Sequence, residues 1–309
     1  MRIQIIIPIY HPDDKLICLL RMIKKQSVQN IPVLLIDSGK GVFYGNEIKG
    51  MNLRVQMIDS RDFNHGGTRQ WGIESCPETD VYVFLTQDAI LADKYSIEKL
   101  VTVFENNRVG CAYGRQIPHQ EAGVFASIAR AFNYPEESHI YDLEDRKRHG
   151  IKTAFISNSF AAYRKEAIEE VHGFPKNTIL SEDMCVAAKM LLCKWEVAYV
   201  ANAVVYHSHD YTVIQEFKRY FDIGVFHARE SWIQREFGKA EGEGRRFIMS
   251  ELSYILKHCP YLILEMLVRD SMKFLGYQLG MKEALLKNTW KRKLSMFSRY
   301  WDVEFRDKS

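Results

Sequence analysis

An aspartate follows a short apolar segment at a point where it could serve a phosphate-bearing ligand. Asp88 lies three residues past the predicted strand Val81–Leu85, in the turn Thr86-Gln87-Asp88-Ala89. A carboxylate on such a turn can hold a divalent cation against a diphosphate, and Mg²⁺ or Mn²⁺ prefers oxygen ligands of this kind. Aspartate is also common in turns, so a purely turn-forming role stays open for Asp88.

Two further acids stand immediately before a helical pattern. Ser181-Glu182-Asp183 precedes the apolar run Met184–Leu192. A carboxylate at a helix start can act as a general base. Serine and aspartate also cap helices, and acids favour the first helical turn. Both interpretations remain for Asp183 at this point.

A pair of histidines follows another predicted strand, in Tyr206-His207-Ser208-His209-Asp210. Residues two apart on an extended chain share one face, so His207 and His209 can point the same way. A histidine pair beside an acid is compatible with metal binding, although a single histidine is more often structural.

A glycine pair with a basic residue begins a predicted helix in Phe63-Asn64-His65-Gly66-Gly67-Thr68-Arg69-Gln70. Backbone N–H groups and Arg69 could together bind phosphate here. The segment matches neither the P-loop pattern nor the dinucleotide-binding glycine pattern. An ordinary strand-to-helix turn is the alternative.

The elements that position these residues alternate along the first part of the chain. Predicted strands begin at Ile3, Val33, Leu53 and Val81, and helical patterns separate several of them. Such alternation, with continuous apolar strands, predicts an α/β fold with a mostly parallel sheet covered by helices on both faces. Ligands of such sheets bind at the carboxyl ends of the strands, where the candidate residues fall.

Composition excludes several other classes of protein. The chain has 309 residues, 47% of them hydrophobic, with 42 basic and 39 acidic residues. These are globular values that exclude collagen-like, low-complexity and wholly disordered chains. The six cysteines form no C-x-x-C pair, which leaves a zinc ribbon or redox motif unsupported. Apolar runs of about 18 residues are absent, so no membrane span is predicted and the cytoplasm is the expected compartment.

The later part of the chain divides into three stretches. Residues 116–150 are polar and predict a long surface excursion, while Glu196–Val205 predicts a strand. We expect a catalytic domain over residues 1–238 and a helical extension over 239–309. The extension carries a net charge of +5 and interleaved aromatic residues. Such a basic amphipathic segment suits an anionic membrane surface, although packing on the catalytic domain or a second subunit is the alternative.

The order and spacing of these motifs, from Ile5 to about Gly224, resemble family 2 inverting glycosyltransferases of the GT-A fold, and among them bacterial rhamnosyltransferases. The resemblance implies that Asp183 is the catalytic base and that Asp88 and His207 bind the metal. His209 is the less favoured alternative to His207. The implied contacts to the nucleotide sugar come from Pro8, Tyr10, Asp37, His65, Gly66, Arg69 and Gln87.

Two departures from the family pattern bear on the substrate. Thr86 replaces the first aspartate of the D-x-D motif, which in many members helps to hold the ribose. This replacement is compatible with a deoxyribose donor such as a dTDP-sugar. The segment Gln215–Tyr220 does not match the Q-x-x-R-W motif of processive polysaccharide synthases, so the sequence disfavours that class.

The resemblance therefore implies a transferase that uses Mg²⁺ or Mn²⁺ and moves L-rhamnose from dTDP-β-L-rhamnose to a lipid-linked saccharide. We expect it at the cytoplasmic face of the inner membrane, with a homo-oligomer possible through the C-terminal helices and no nucleic-acid partner. The alternatives are a UDP-hexose donor, a nucleotidyltransferase and a non-catalytic membrane-associated scaffold. A nucleic-acid binder is disfavoured because no nucleic-acid motif occurs.

Overall fold

The computed structural model describes residues 1–39, 41 and 49–302 of the chain. The strands of these residues are β1 Ile3–Ile9, β2 Val33–Asp37, β3 Leu53–Met57, β4 Val81–Leu85, β5 Ile90–Leu91, β6 Val109–Ile117, β7 His139–Tyr141, β8 Phe160–Arg164 and β9 Glu196–Tyr206. The helices are α1 Asp14–Lys24, α2 His65–Glu74, α3 Ser96–Thr102, α4 Val124–Asn133, α5 Arg146–His149, α6 Lys165–Glu170, α7 Glu182–Leu192, α8 Val213–Arg229, α9 Ser231–Phe237, α10 Glu241–His258, α11 Ile263–Met281 and α12 Asn288–Leu294.

The strands form one sheet in the order β3-β2-β1-β4-β8-β6-β9-β5, with β7 beside β9. Strands β3, β2, β1 and β4 are parallel, as the sequence predicts. Strand β8 is antiparallel to both of its neighbours, and β5 and β7 are antiparallel to β9, so the sheet is mixed. Because β8 is reversed, its first residue, Phe160, pairs with Leu85 at the end of β4. The turn before β8 therefore lies at the same edge as Asp88.

Helices cover both faces of the sheet, which confirms the α/β architecture. Strand β1 shows why, because alternate isoleucines enter two separate cores. Ile5 and Ile7 pack with Leu16 of α1 on one face, while Ile6 packs with Ile73 of α2 on the other. Burial on both faces explains the continuous apolar run of this strand.

Residues 116–150 lie mostly at the surface, as predicted, but they contain regular elements that the sequence did not indicate. Strand β6 continues to Ile117, and α4, β7 and α5 follow within the stretch. The side chain of Gln116 is buried, although its polarity suggested a surface position. Gln116 forms hydrogen bonds in the site described below. A polar residue inside a buried strand interrupts the apolar pattern from which the strand would be predicted.

The C-terminal extension is helical, as predicted, and α11 packs directly along α8. Glycines permit this close approach: a Cβ atom at Gly280 would lie 2.1 Å from the Phe221 carbonyl oxygen, and one at Gly276 would lie 2.4 Å from that of Phe217. Helix α11 of the extension thus packs against α8 of the preceding part of the chain, whereas residues 303–309 fall outside the described residues. Within the described part of the chain, no helix is long and apolar enough to cross a membrane.

The α8–α11 contact yields a stability prediction. We expect Gly280→Ala to lower the free energy of unfolding by about 1 to 3 kcal/mol, because the added methyl group has no room against the Phe221 backbone. Gly242→Ala on α10 is the matched control, since its Cβ atom meets no neighbouring atom within 4 Å. The control should be neutral or more stable by up to about 1 kcal/mol. Urea unfolding of both variants measures the difference, and equal stability would contradict the tight crossing.

Candidate active site

The residues expected to hold the nucleotide meet at the carboxyl ends of β1, β2 and β4. Gln87 joins two of these ends, because its Oε1 accepts a hydrogen bond from Tyr10 N at 2.8 Å and its Nε2 donates to Tyr10 O at 3.2 Å. The Tyr10 side chain stays 45% exposed. Pro8 lies two residues earlier in β1, opposite Ile36. These residues frame an open edge of the sheet.

Asp37 completes this edge from the end of β2. Its side chain is buried, and its Oδ1 accepts a hydrogen bond from Gly39 N at 2.6 Å. Its Oδ2 is also buried and has no hydrogen-bond partner within the part of the chain that the structure describes. A buried carboxylate oxygen without a partner is costly, so Asp37 is suited to accept a hydrogen bond from a ligand.

Asp88, which follows β4 at the same edge of the sheet, lies opposite His207 and His209. Its Oδ1 lies 3.5 Å from His207 Nε2 and its Oδ2 lies 3.7 Å from His209 Nε2. The possible ligand atoms of the three residues lie within 4.8 Å of one another, and we call Asp88, His207 and His209 the Asp88 cluster. The sequence favours His207 over His209, and the structure brings the two together.

The protonation of His207 shows why these three residues fit a cation. His207 Nδ1 lies 2.8 Å from Gln116 Oε1, which can only accept a hydrogen bond, so Nδ1 carries the proton. Nε2 then directs a lone pair at the Asp88 carboxylate. Burial lowers the pKa of both imidazoles, that of His209 to about 4. Neutral imidazoles and a carboxylate are good ligands for a divalent cation.

Gln116 was missed in the sequence and holds His207 in position. Its Nε2 donates to Ser157 Oγ at 2.9 Å, and its Oε1 accepts from Arg130 as well as from His207. These contacts fix the orientation of the amide and therefore the tautomer of the histidine. The signal available in the sequence was a polar residue near the end of β6, after a mostly apolar run.

Two acids at the start of α7 occupy different environments. The Glu182 side chain is buried and forms an ion pair with Arg69, with Oε1 3.0 Å from Nη1. Asn158 Nδ2 donates to the same oxygen at 3.0 Å, and Asn158 Oδ1 accepts from the Tyr163 hydroxyl at 2.8 Å. Burial alone would raise the pKa of Glu182, but the charge of Arg69 holds it below its usual value.

Asp183 is placed where it can exchange a proton near neutral pH. Its Oδ2 accepts a hydrogen bond from Asn158 N at 3.0 Å and its Oδ1 from Met184 N at 2.9 Å. Burial and the negative charge of Glu182 raise the pKa of Asp183 to about 7. A carboxylate with such a pKa suits general base catalysis. Ser181 makes no side-chain capping bond to α7, so the capping alternative finds no support at that residue.

His65, Gly66 and Arg69 lie behind these acids in the structure. Arg69 is only 5% exposed, and its Nη1 also donates to His65 O at 2.9 Å. A Cβ atom at Gly66 would lie 1.9 Å from the Pro175 carbonyl oxygen, so only glycine fits. The structure shows these residues in the packing of α2 against α7. The contacts to the nucleotide sugar that the resemblance implies for them stay a prediction.

Comparison with known proteins adds to this geometry. Residues 4–172 match the family described as "Glycosyl transferase family 2". The chain is 46% identical over 305 residues to the O-antigen chain rhamnosyltransferase RfbN of Salmonella typhimurium, covering 98% of this chain and 96% of the relative. It is 45% identical over 279 residues to the O-antigen chain rhamnosyltransferase WbaN of Salmonella anatum, covering 90% and 89%.

Two solved structures share the fold. The mannosyltransferase PcManGT from Pyrobaculum calidifontis, in complex with GDP-Man and Mn²⁺, matches with a TM-score of 0.56 and 15% identity, covering 100% of this chain and 88% of that one. S. aureus TarS in complex with UDP-GlcNAc matches with a TM-score of 0.56 and 14% identity, covering 98% and 89%. The expected GT-A architecture is confirmed.

The Asp88 cluster yields a binding prediction. We expect the full-length protein to bind Mn²⁺, and His207→Ala and His209→Ala each to weaken the affinity by about 10-fold or more, since each removes a ligand. His258→Ala, which changes an exposed histidine of α10, is the matched control and should leave the affinity unchanged. Isothermal titration calorimetry measures the Mn²⁺ affinity of the wild type and of the three variants. Wild-type affinity in His209→Ala would remove that residue from the cluster.

Proposed function

The chain belongs to glycosyl transferase family 2, and on that premise we propose that it transfers L-rhamnose from dTDP-β-L-rhamnose to a lipid-linked saccharide in surface polysaccharide assembly. The observation that carries this proposal is the similarity, over nearly the whole chain, to the two O-antigen chain rhamnosyltransferases. The placement of Asp183 and the Asp88 cluster at the carboxyl edge of one sheet supports it.

Asp183 is the proposed general base. In a single displacement, the acceptor hydroxyl attacks the anomeric carbon while its proton passes to the Asp183 carboxylate, and the bond to the nucleoside diphosphate breaks on the opposite face. The configuration inverts, so a β-L-rhamnosyl donor gives an α-L-rhamnoside. Asn158 N and Met184 N hold the carboxylate in position through hydrogen bonds.

Asp88, His207 and His209 would hold the divalent cation, Mg²⁺ or Mn²⁺. When bound, such a cation neutralises the negative charge that grows on the leaving diphosphate. Gln116 keeps His207 in the tautomer that this role requires. This arrangement leaves the proton transfer to Asp183, whose pKa lies far above that of a carboxylate beside a cation.

A deoxyribose donor is favoured by Thr86, which replaces an aspartate that could bind a ribose hydroxyl. The Asp37 oxygen that has no partner among the described residues can accept a hydrogen bond from the N–H of a pyrimidine base. The exposed residue Tyr10 directly follows Ile9, which pairs with Asp37. Thymine and uracil both offer that N–H. A UDP-hexose donor is therefore the second candidate.

A membrane contact for the lipid-linked acceptor is proposed for α10 and α11. These helices and the turn between them expose several large apolar side chains, among them Tyr261 of the turn at 80% and Leu264 of α11 at 77%. The others are Ile248, Met249, Tyr254, Leu256, Leu267, Val268, Phe274 and Leu275. An exposed apolar surface beside basic residues such as Lys257 suits the anionic cytoplasmic face of a membrane. A second copy of the chain could cover the same helices instead.

The role of Asp183 yields a kinetic prediction. Asp183→Asn should keep donor binding and lose transfer by about two to four powers of ten, the range of general base catalysis. In the wild type, kcat/KM should rise with pH through about 7, because the base acts only when deprotonated. Glu166→Gln, an exposed acid in the first turn of α6, is the control and should transfer normally. Near-normal turnover by Asp183→Asn would exclude this base.

The donor is tested with a panel of dTDP-rhamnose, UDP-glucose, UDP-galactose and UDP-N-acetylglucosamine, each with Mg²⁺ or Mn²⁺ and a saccharide acceptor. We expect turnover with dTDP-rhamnose and loss of turnover in EDTA or in Asp88→Ala. Selective turnover of a UDP-sugar would replace the proposed donor. Full activity in EDTA would contradict the metal requirement. A chain that neither transfers nor hydrolyses any donor would favour the scaffold alternative.

The apolar surface is tested by liposome flotation. The wild type should float with vesicles that contain anionic phosphatidylglycerol, and Leu264→Glu/Val268→Glu should lose most of the floated fraction, because both side chains are exposed on α11. Ile140→Glu, at an exposed apolar residue of β7, is the matched control. Absence of the wild type from both anionic and neutral vesicles would contradict the proposal, and a dimer that dissociates in the double variant would support the second-copy alternative.

A further inference from the structure

The C-terminal segment 295–302, which follows α12, approaches the edge of the sheet that we assign to the nucleotide. We propose that Arg299 of this segment binds the nucleoside part of the donor beside Tyr10. This inference rests on the proposed function and deepens it. It makes the C-terminal extension part of the donor site in addition to its proposed contact with the membrane.

Buried contacts anchor the segment on both sides of Arg299. Before it, the Asp222 carboxylate of α8 accepts a hydrogen bond from Met296 N at 2.8 Å, and the Phe297 ring lies 4.8 Å from the ring of His65. After it, the Tyr300 hydroxyl donates to Asn177 O at 2.8 Å. The Trp301 side chain is fully buried. The backbone at residue 299 is therefore held in one place.

The Arg299 side chain reaches across to the ends of β1 and β3. The central carbon of its guanidinium lies 5.9 Å from the centre of the Tyr10 ring, and its Nη1 lies 3.4 Å from the Ser60 carbonyl oxygen. The neighbouring acid, Asp59, is bound by Arg61 at 2.6 Å. Arg299 is exposed, and its guanidinium lies near the Tyr10 ring at the open edge.

The order of the strands indicates which part of the donor Arg299 meets. The sheet runs β3-β2-β1-β4-β8-β6-β9, and the Asp88 cluster, which would face the diphosphate, combines Asp88 after β4 with His207 and His209 after β9. Ser60 follows β3, at the opposite end of this series. Asp37, with its unpartnered oxygen, follows β2 between them. A donor that places its diphosphate near Asp88 therefore extends its base towards Asp37, Tyr10 and Arg299.

The chemistry of the guanidinium fits this position. Its N–H groups can donate to a pyrimidine carbonyl oxygen, and its flat face stacks on aromatic rings. Tyr10 supplies an aromatic face from one element and Arg299 a cation from another. The base would be bound by Asp37 through an N–H group and by Arg299 through a carbonyl group.

The experiment compares Arg299→Ala with the wild type, both as full-length proteins, in calorimetric titrations with dTDP, with dTMP and with thymidine. We expect the dissociation constants for all three to rise by about 3- to 30-fold and by the same factor, since the nucleoside is the one group that all three share. Arg299→Lys should fall between the two. Lys293→Ala is the matched control. It removes an exposed cation of α12, the helix just before the segment, and the Lys293 ammonium lies over the Trp290 ring.

Three outcomes would overturn the inference. Affinities within 2-fold of the wild type, which is a difference in binding free energy below about 0.4 kcal/mol, would show that Arg299 does not bind the donor. Loss of affinity for dTDP alone would assign Arg299 to the diphosphate. Equal loss in Lys293→Ala would indicate a general effect of charge. If the wild type binds UDP and not dTDP, the proposed donor is wrong, and the same comparison with UDP and UMP decides the role of Arg299.

Discussion

The buried ion pair between Arg69 and Glu182 is the interaction on which the active site depends. The two residues are 5% and 4% exposed, so each charge would be strongly destabilising without the other. Arg69 belongs to α2 and Glu182 begins α7, so the pair joins the helix after β3 to the helix that carries Asp183, the proposed base. Because Asp183 follows Glu182 directly, the pair also fixes where Asp183 lies.

The same pair separates the chemistry of two adjacent acids. Arg69 binds Glu182, and its charge keeps the pKa of that carboxyl low. Asp183 receives backbone hydrogen bonds but no side-chain cation, so burial and the charge of Glu182 bring its pKa to about 7. One acid therefore remains ionised as a structural partner, while the other can take up a proton. Neighbouring carboxyls with pKa values pushed apart are typical of acid–base sites.

Much of this arrangement could be predicted from the sequence, because it depends on local patterns. The strands around Ile6 and Val83 follow from apolar runs, and Asp88 and Asp183 follow from their positions after a strand and before a helix. The burial of Arg69 could not be predicted, since it depends on a partner more than 100 residues away. The role of Gln116 was hidden for the same reason, because its partner His207 comes from a different strand.

The C-terminal extension is coupled to the site through a single layer of helices. His207 and His209 lie just before α8, and α8 packs against α11 so closely that glycines are required at the crossing. The other side of α11 exposes Leu264 and Leu267. An interaction at that surface therefore acts on a helix in direct contact with α8, which follows the Asp88 cluster. Because the contact between the two helices is tight, binding a surface through α11 would orient the edge of the sheet that carries the candidate site, rather than only tether the protein nearby.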